Sequence, residues 1–158
     1  MALLLCRIDD RLVHGQVVIG WGRPLGANRI VLVDDEVAGN DWEQDLYRMA
    51  VPEGVEIIFS GVVEATRRLA EWQADDRRAM LLTGDVRTMA ALFDADHAAI
   101  AHVNLGGIHH RPGRTERLPY VYLTDDEYSV LRAMGAGGAE VTAQDVPSAA
   151  PIALGALP

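Results

Sequence analysis

The chain has 158 residues, a length that suits one domain, and its content of 49% hydrophobic and 23% charged residues is ordinary for a globular protein. The formal net charge of −9 argues against a nucleic-acid-binding protein, because such proteins need a basic surface to neutralise phosphates. All 14 basic residues are arginines, which excludes a phosphate-binding lysine, a Schiff-base lysine and a pyridoxal site.

The sequence has no signal for export or for insertion into a membrane. No apolar run approaches the roughly 20 residues that a membrane helix needs, and the N-terminus lacks a basic segment followed by an apolar core. The one cysteine, Cys6, lies inside an apolar run and has no partner for an intramolecular disulfide. We therefore expect a cytoplasmic protein with a buried thiol.

The chain begins with a buried strand and a turn rich in polar side chains. The run Ala2–Cys6 lacks polar alternation, which is typical of a strand buried on both faces of a parallel sheet. The turn that follows has two acids, an arginine and a histidine between Asp9 and His14. Apolar residues at helical spacing then predict a helix that ends before Pro24, since proline disfavours helix in the preceding residue.

Strands and helices alternate through the rest of the chain. Short apolar runs predict strands at residues 29–33, 55–59, 79–82, 99–105, 120–123 and 139–143. Capping residues and apolar periodicity predict helices that begin near Asp41, Val62, Val86 and Asp125, and Thr124 to Glu127 resembles a capping box. The helix after Asp41 has Trp42, Leu46, Met49 and Ala50 at helical spacing.

Two segments are predicted to be irregular. Residues 108–118, rich in His, Arg, Gly and Pro, form the longest predicted loop, which we expect to face solvent or a ligand. Residues 147–158 form an alanine- and proline-rich tail that is predicted to pack loosely.

This alternation predicts an α/β fold with residues 1–158 as a single domain. Strands joined to helices by short connections indicate a doubly wound, mostly parallel sheet with helices on both faces. The loops at the carboxyl ends of the strands then lie near residues 9–14, 34–38, 60–61, 83–85 and 106–117. Ligands bind at this edge in such folds, so we expect a site where some of these loops converge.

The first turn has the residues needed to hold an anion beside a histidine. Free backbone amides at the N-terminus of the helix that Gly15 begins can bind a phosphoryl group next to His14, and Arg11 adds a fixed positive charge. A neutral imidazole is nucleophilic, and phosphoryl transfer depends mostly on positioning and charge stabilisation. Asp9 and Asp10 either fix the imidazole tautomer or cap the turn through backbone hydrogen bonds. The turn requires neither a metal nor a cofactor.

The order Asp-Asp-Arg-x-x-His-Gly-Gln in this turn resembles the phosphorylation site of the mannose/fructose/sorbose family of phosphotransferase-system (PTS) IIB components. The resemblance extends over nearly the whole chain. It includes residues 7–17, 29–37, 49–52, 104–108 and the closing Val146-Pro147. It implies a doubly wound sheet of about seven strands.

The resemblance also implies a phosphocarrier enzyme, a protein-phosphohistidine–sugar phosphotransferase. The family histidine that accepts a phosphoryl group on Nδ1 from a phosphorylated IIA component matches His14, and the arginine that steadies that group matches Arg11. The implied partners are the IIA donor, the membrane IIC/IID permease and a sugar, and the question of a homo-oligomer stays open. The active-site loop is completed by Asp9, Asp10, Gly15 and Gln16.

Loops near residues 34–36, 60, 83–85 and 106–114 are expected to shape access for the partner and the sugar. We predict a rim of Asp35, Thr83, Gly106, Gly107 and Arg111. Arg111, Arg114 and Arg117 concentrate positive charge on an otherwise acidic chain, and they either form a basic rim for the donor or pair with neighbouring acids. The turn after residue 83 reads Gly84-Asp85, where many family members have asparagine or serine followed by proline.

Other functions are weaker on sequence grounds. A regulatory protein that takes phosphate from IIA without sugar transport also needs His14 and is the main alternative. A nucleotide-binding module lacks the Gly-x-Gly-x-x-Gly turn that dinucleotide folds use after the first strand. His97, His102, His109 and His110 are expected to be surface or packing residues, since adjacent histidines are poorly spaced for one metal ion.

Overall fold

The computed structural model describes residues 3–158 and has a seven-stranded sheet. The strands in the sheet are β1 (Leu3–Ile8), β2 (Arg29–Val33), β3 (Glu56–Ser60), β4 (Ala79–Thr83), β5 (His102–Leu105), β8 (Glu140–Ala143) and β9 (Ile152–Ala153). They lie in the order β3-β2-β4-β1-β5-β8-β9, and their pairings are parallel, except that β9 runs antiparallel to β8. A separate hairpin contains β6 (Thr115–Leu118) and β7 (Val121–Leu123).

Helices cover both faces of the sheet. A π-helical segment, Gln16–Trp21, runs into α1, and a 3₁₀ turn near the C-terminus covers Leu154–Ala156. The α-helices are α1 (Gly22–Leu25), α2 (Asp35–Ala38), α3 (Asp41–Ala50), α4 (Val62–Ala74), α5 (Val86–Ala95) and α6 (Asp125–Ala136). The predicted fold class, a doubly wound and mostly parallel sheet of seven strands between helices, is confirmed.

Two apolar cores follow from this arrangement. The π-helical segment, Leu12, Val13 and Val37 pack on one face of the sheet against Ile30, Leu32, Met80 and Leu82. The helices α4, α5 and α6 pack on the other face, where Trp72, Met89 and Leu131 are fully buried. The loop between β1 and the π-helical segment therefore belongs to the same face as α2 and α3.

The predicted end of the first helix before Pro24 is wrong, because Pro24 lies inside α1. The π-helical segment is wide, and the Gly22 amide donates to the Val17 carbonyl five residues back. An α-helical segment restarts at Gly22, so Pro24 occupies its first turn, where the missing N–H has no intrahelical partner in any case. The helix ends at Gly26, whose φ of 65° places it in the left-handed region that terminates many helices.

The two segments predicted to be irregular are partly ordered by pairing. Residues 115–118 of the predicted loop form β6, which pairs with β7 through Thr115–Leu123 and Glu116–Tyr122. The tail contributes β9, and Leu154 and Leu157 are buried in the larger core. The end of this tail is thus held by strand pairing and by two buried leucines, whereas residues 147–151 are exposed, and the loose packing of the tail stays a prediction. A two-residue strand is too short to show an alternating pattern.

Boundaries elsewhere shift by a few residues. The first strand extends through Arg7 and Ile8, whereas Ala2 lies outside the described residues. The fifth strand begins at His102, and the acidic residues that follow β2 form a short helix, α2, which Asp34 caps through the Val37 amide at 3.0 Å. The predicted capping box of Thr124 and Glu127 is present at the start of α6.

Candidate active site

The residues predicted to carry the chemistry lie at the carboxyl end of β1. Ile8 pairs with Thr83 of β4 and with Leu105 of β5, so the loop after β1 lies between the loops that follow these two strands. The segment after β1 packs on one face of the sheet and α5, after β4, packs on the other. Neighbouring strands whose helices diverge in this way open a crevice at the sheet edge, which is where such folds bind ligands.

Asp9 is the charged centre of this loop. Its carboxylate is fully buried and accepts hydrogen bonds from the Arg11 side chain at 3.0 and 2.9 Å and from the Arg11 backbone amide at 3.1 Å. Its Oδ2 also lies 3.3 Å from Arg7 Nη2 and 3.5 Å from His14 Nε2. Asp9 therefore caps the turn and also lies opposite the imidazole of His14.

Three cationic or proton-bearing side chains around one carboxylate set its protonation state. Burial by itself would raise the pKa of Asp9. The nearby ring of His14, the hydrogen bonds from Arg11 and the charges of Arg7 and Arg11 together outweigh burial and hold the pKa of Asp9 far below its usual range. Asp9 is consequently a permanent anion at any physiological pH.

His14 presents one ring nitrogen to the protein and part of its ring to solvent. Its Nε2 is shielded from solvent and, within residues 3–158, has only the Asp9 carboxylate at 3.5 Å as a polar neighbour of opposite charge. The side chain as a whole is 20% exposed. An Nε2–H directed at Asp9 leaves the lone pair on Nδ1, the nitrogen available to a nucleophilic role.

The side chain of Arg11 is held in place by Asp9 and Gln16. Its Nε and Nη2 form a forked pair with Asp9, and its Nη1 donates to Gln16 Oε1 at 2.9 Å. About a third of its side chain is exposed. Arg11 thus brings a fixed positive charge to the loop that contains His14, in an orientation that Asp9 and Gln16 determine.

Arg7 has a structural role in the site, although its sequence position predicted no role for it. It is fully buried, donates to Asn104 Oδ1 and to the carbonyls of Gln144 and Asp145, and stacks 4.8 Å from the Trp21 ring centroid. It joins β1 to the ends of β5 and β8 beneath Asp9. A charged residue within an otherwise apolar strand was the available signal.

Glycines allow the guanidinium groups to pack directly on the backbone. A Cβ on Gly106 would clash with the Arg7 guanidinium, and one on Gly107 would lie 3.2 Å from Arg11 Nε and 3.3 Å from Asp9 Oδ1. The Gly107 carbonyl also accepts from the Asp10 amide at 2.8 Å. The predicted rim residues Gly106 and Gly107 therefore lie beneath the loop as close packing partners of its charges.

The helix amides expected to hold an anion are partly used. The Val17 and Val18 amides both donate to the His14 carbonyl, at 3.1 and 2.9 Å. Gly15 precedes the π-helical segment in a helical conformation, and a Cβ there would meet no atom within 4 Å. Open space therefore surrounds Gly15, while the amides two and three residues further along are not available to a ligand.

Asp10 turns away from His14 and holds the loop after β5. Its two carboxylate oxygens bind the His109 backbone amide at 2.7 Å and His109 Nδ1 at 2.5 Å. Arg114 then donates to the His109 carbonyl at 2.8 Å. Asp10 therefore positions residues 108–114 over the active-site loop rather than fixing the imidazole of His14.

The three arginines considered for a basic rim have different roles. Arg114 pairs with Glu127 at 2.8 Å and is nearly buried, and Arg117 pairs with Asp125 at 3.2 Å. Arg111 is exposed and, within residues 3–158, belongs to no ion pair. The charge that remains for a rim is that of Arg111, because the other two arginines stabilise the start of α6.

A small polar cavity adjoins the loop. It has a volume of about 140 Å³ and is lined by Asp10, Leu12, Asp34, Gly84, Asp85, Arg111 and Arg114.

Of the residues predicted to form the rim, Arg111 lines this cavity, whereas Asp35 accepts a hydrogen bond from the Val62 amide at 2.8 Å and so caps α4. Thr83 is buried, and its carbonyl accepts from the Asp9 amide at 2.9 Å.

The remaining histidines are engaged elsewhere. His97 stacks on Phe93 at 4.0 Å between centroids, His102 lies 2.9 Å from Thr142 Oγ1, and His110 packs edge-on against Tyr122. Cys6 is buried, and burial raises the pKa of its thiol to about 12. Within residues 3–158 no group of three or more His, Cys, Asp and Glu side chains is arranged to hold a metal ion.

Comparison with known proteins finds a family and several relatives that match most of this chain. The sequence profile of the family described as PTS system sorbose subfamily IIB component matches residues 3–157. The chain is 35% identical over 146 residues to N-acetylgalactosamine-specific phosphotransferase enzyme IIB component 1 of Escherichia coli K12, which covers 92% of this chain and 91% of that relative. It is also 30% identical to the mannose-specific EIIAB component of the same strain, but spans only 45% of that longer protein.

Solved structures extend the similarity to the whole fold. The IIBSor domain of the Klebsiella pneumoniae sorbose permease superposes with a TM-score of 0.88 at 27% identity, over 98% of this chain and 94% of that domain. The N-acetylgalactosamine-specific IIB component 1 of Escherichia coli also gives 0.88, at 32% identity, over 95% and 97% of the two chains. In the described residues, no helix is long and apolar enough to cross a bilayer.

Proposed function

The chain belongs to the sorbose subfamily of PTS IIB components, and on that premise we propose that His14 accepts a phosphoryl group from a phosphorylated IIA component and transfers it to a sugar at a membrane permease. The observation that carries the proposal is the position of Asp9 opposite Nε2 of His14. It supports one tautomer, with the proton on Nε2 and the nucleophilic lone pair on Nδ1.

Charge changes during transfer explain what Asp9 does. As Nδ1 forms a bond to phosphorus, the bond from phosphorus to the donor histidine breaks and its electron pair returns to that donor. The ring of His14 then becomes positive, with its proton still on Nε2. A permanent carboxylate beside Nε2 stabilises this charge and keeps the ring oriented, as the acidic member of a catalytic triad does for its histidine. The apo distance of 3.5 Å is expected to shorten as the charge develops.

Arg11 stabilises the phosphoryl group in this proposal. A planar guanidinium offers several N–H donors in a fixed fork, and two of the Arg11 nitrogens already bind Asp9. The N–H groups that remain on its terminal nitrogens are the ones offered to phosphoryl oxygens. Gln16, which accepts from Nη1 at 2.9 Å, keeps the fork from swinging out of the loop.

The proposal is tested by assembling the phosphorylation chain. Incubation with phosphoenolpyruvate, the two general phosphotransferase proteins and a IIA partner is expected to place one acid-labile, base-stable phosphate on the protein. Peptide mapping should locate it on His14. Label on His109 or His110 instead would contradict the assignment. Sugar phosphate formed on addition of permease-containing membranes separates a transport enzyme from a regulatory phosphoprotein, which would accept phosphate and stop there.

Arg11→Lys is expected to slow phosphoryl transfer although it retains the charge. Lysine replaces a planar fork with a point charge and cannot keep two bonds to Asp9 while contacting the phosphoryl group. The loss of one charged hydrogen bond, worth about 1.5–3 kcal/mol, corresponds to a rate reduction of roughly 10- to 100-fold. Rapid-quench measurement of transfer from IIA gives the rate.

The matched control for this measurement is Arg23→Lys, which changes an exposed arginine of α1. It should transfer at the parental rate. A parental rate in Arg11→Gln would remove Arg11 from the mechanism, because that variant lacks the positive charge as well as the fork.

A further inference from the structure

The helix α3 has an apolar stripe that faces away from the protein. Trp42, Leu46 and Met49, called here the α3 stripe, follow the i, i+4, i+7 spacing that normally marks the buried side of a helix. They are instead 72%, 46% and 84% exposed, and no residue of α3 is buried. The spacing that the sequence shows thus corresponds to a surface and not to a core.

The opposite side of α3 holds the helix on the domain with mixed contacts. Gln44 donates to the carbonyls of Val37 and Ala38 at 2.9 and 3.1 Å, and Tyr47 packs against the core below. The orientation of the helix is therefore determined by polar bonds to α2, and turning it to bury the α3 stripe would break them. A set of large apolar side chains kept exposed by specific bonds is typical of an interaction site.

The position and charge of the α3 stripe restrict its partner. The helix has three acids, Asp41, Glu43 and Asp45, against one arginine, Arg48, which pairs with Asp45 at 2.8 Å. Trp42 is at the start of α3, which follows β2 and α2 on the carboxyl side of the sheet, and Tyr47 of the same helix packs on the face that also holds Leu12 and Val13. A partner bound there would need apolar groups with basic neighbours and would reach the edge where His14 lies.

We propose that the α3 stripe docks onto the basic cytoplasmic loops of the membrane permease, an inference that rests on the proposed function. Cytoplasmic loops of membrane proteins are enriched in Lys and Arg, which complements an acidic border around apolar side chains. The net charge of −9 opposes binding to the anionic lipid surface itself. The surface of three side chains is also small compared with the ~800 Å² that each partner buries in a stable complex. A small interface suits a phosphocarrier that must dissociate from the permease after each transfer.

The test compares two half-reactions in a stripe variant and a matched control. Trp42→Gln with Met49→Gln removes the exposed apolar groups, and Val63→Gln does the same on α4, where Val63 is 64% exposed on the other face. The stripe variant should accept phosphate from IIA at the parental rate. It should require about 10-fold more protein for half-maximal sugar phosphorylation by permease membranes. Val63→Gln should match the parent in both assays.

Sedimentation with vesicles that contain the permease, and with empty vesicles of the same lipid, keeps the inference separate from the proposed function. The parent should bind only permease vesicles and the stripe variant should bind them about 10-fold more weakly. Equal binding to empty vesicles, unchanged binding by the stripe variant, or a matching loss in the IIA reaction would each overturn the docking assignment. If the parent takes no phosphate from IIA, the proposed function fails while sedimentation still decides the role of the α3 stripe.

Discussion

His14→Ala is expected to reduce phosphate incorporation from IIA, and sugar phosphorylation with it, to the level measured without the protein. The other histidines are engaged elsewhere, since His97 stacks on Phe93, His102 contacts Thr142, His109 is bound by Asp10 and His110 packs on Tyr122. Stability should change little, because the imidazole has Asp9 as its only close ionic contact among residues 3–158 and is partly exposed. Autoradiography after a timed incubation measures the first effect and urea unfolding the second.

His102→Ala is the matched control, since it removes an imidazole at the opposite end of a neighbouring strand. It should accept phosphate as fast as the parent. Full labelling of a folded His14→Ala protein would show that another residue carries the phosphoryl group.

Asp9→Asn is expected to lower both transfer and stability. Loss of the charge leaves Arg7 buried without its carboxylate, and breaking a buried ion pair costs about 3–5 kcal/mol in the free energy of unfolding. The lower end of that range, about 3 kcal/mol, fits this site because Arg7 retains Asn104 and two carbonyls as acceptors. Transfer should fall as well, since the ring of His14 and the fork of Arg11 lose their common partner.

The pH dependence provides a second measurement of the same ion pairs. The pKa of Asp9 is lower in the folded protein than in the unfolded chain, so its contribution is complete above the unfolded value of about 4 and declines as the pH falls below it. Urea unfolding at pH 7, 5 and 3.5 should therefore show the gap between parent and Asp9→Asn narrowing at the most acidic pH. A gap below 0.5 kcal/mol at pH 7 would contradict the assigned role.

A second variant allows for an Asp9→Asn protein that fails to fold. Combining Arg7→Gln with Asp9→Asn removes both charges together, and replacing both members of a buried pair is generally less costly than removing one. The double variant should be more stable than Asp9→Asn alone, with transfer still impaired. Asp94→Asn, on the exposed side of α5, serves as the neutral control.

The order of elements was predictable because its signals are local. Apolar runs identified the strands of the parallel sheet, and capping residues identified helix starts; the caps formed by Asn40, Asp85 and Thr124 are hydrogen bonds that span only three residues. The positions that misled prediction depend on distant contacts. Pro24 lies in the first turn of a helix that restarts after a π-helical segment, and β9 exists only because β8 provides an edge for pairing.

The candidate site was predictable in its members but only partly in their contacts. The spacing of Asp9, Arg11 and His14 along one short loop indicated that these residues act together, and the loop places Arg11 and His14 2.9 and 3.5 Å from the Asp9 carboxylate. The partner of Asp10 could not be foreseen, because His109 is 99 residues away. Nor could the exposure of the α3 stripe, since periodicity shows which residues share a face but not where that face points.

The packing of Arg7 on Gly106 also restricts the order in which these two positions can change during evolution. Any side chain at position 106 places its first carbon in the space that the Arg7 guanidinium occupies. A shorter residue at position 7 would free that space, and position 106 could then vary. The reverse order passes through a chain in which both groups compete for one volume. Divergence at this pair is therefore directional, with the arginine changing before the glycine.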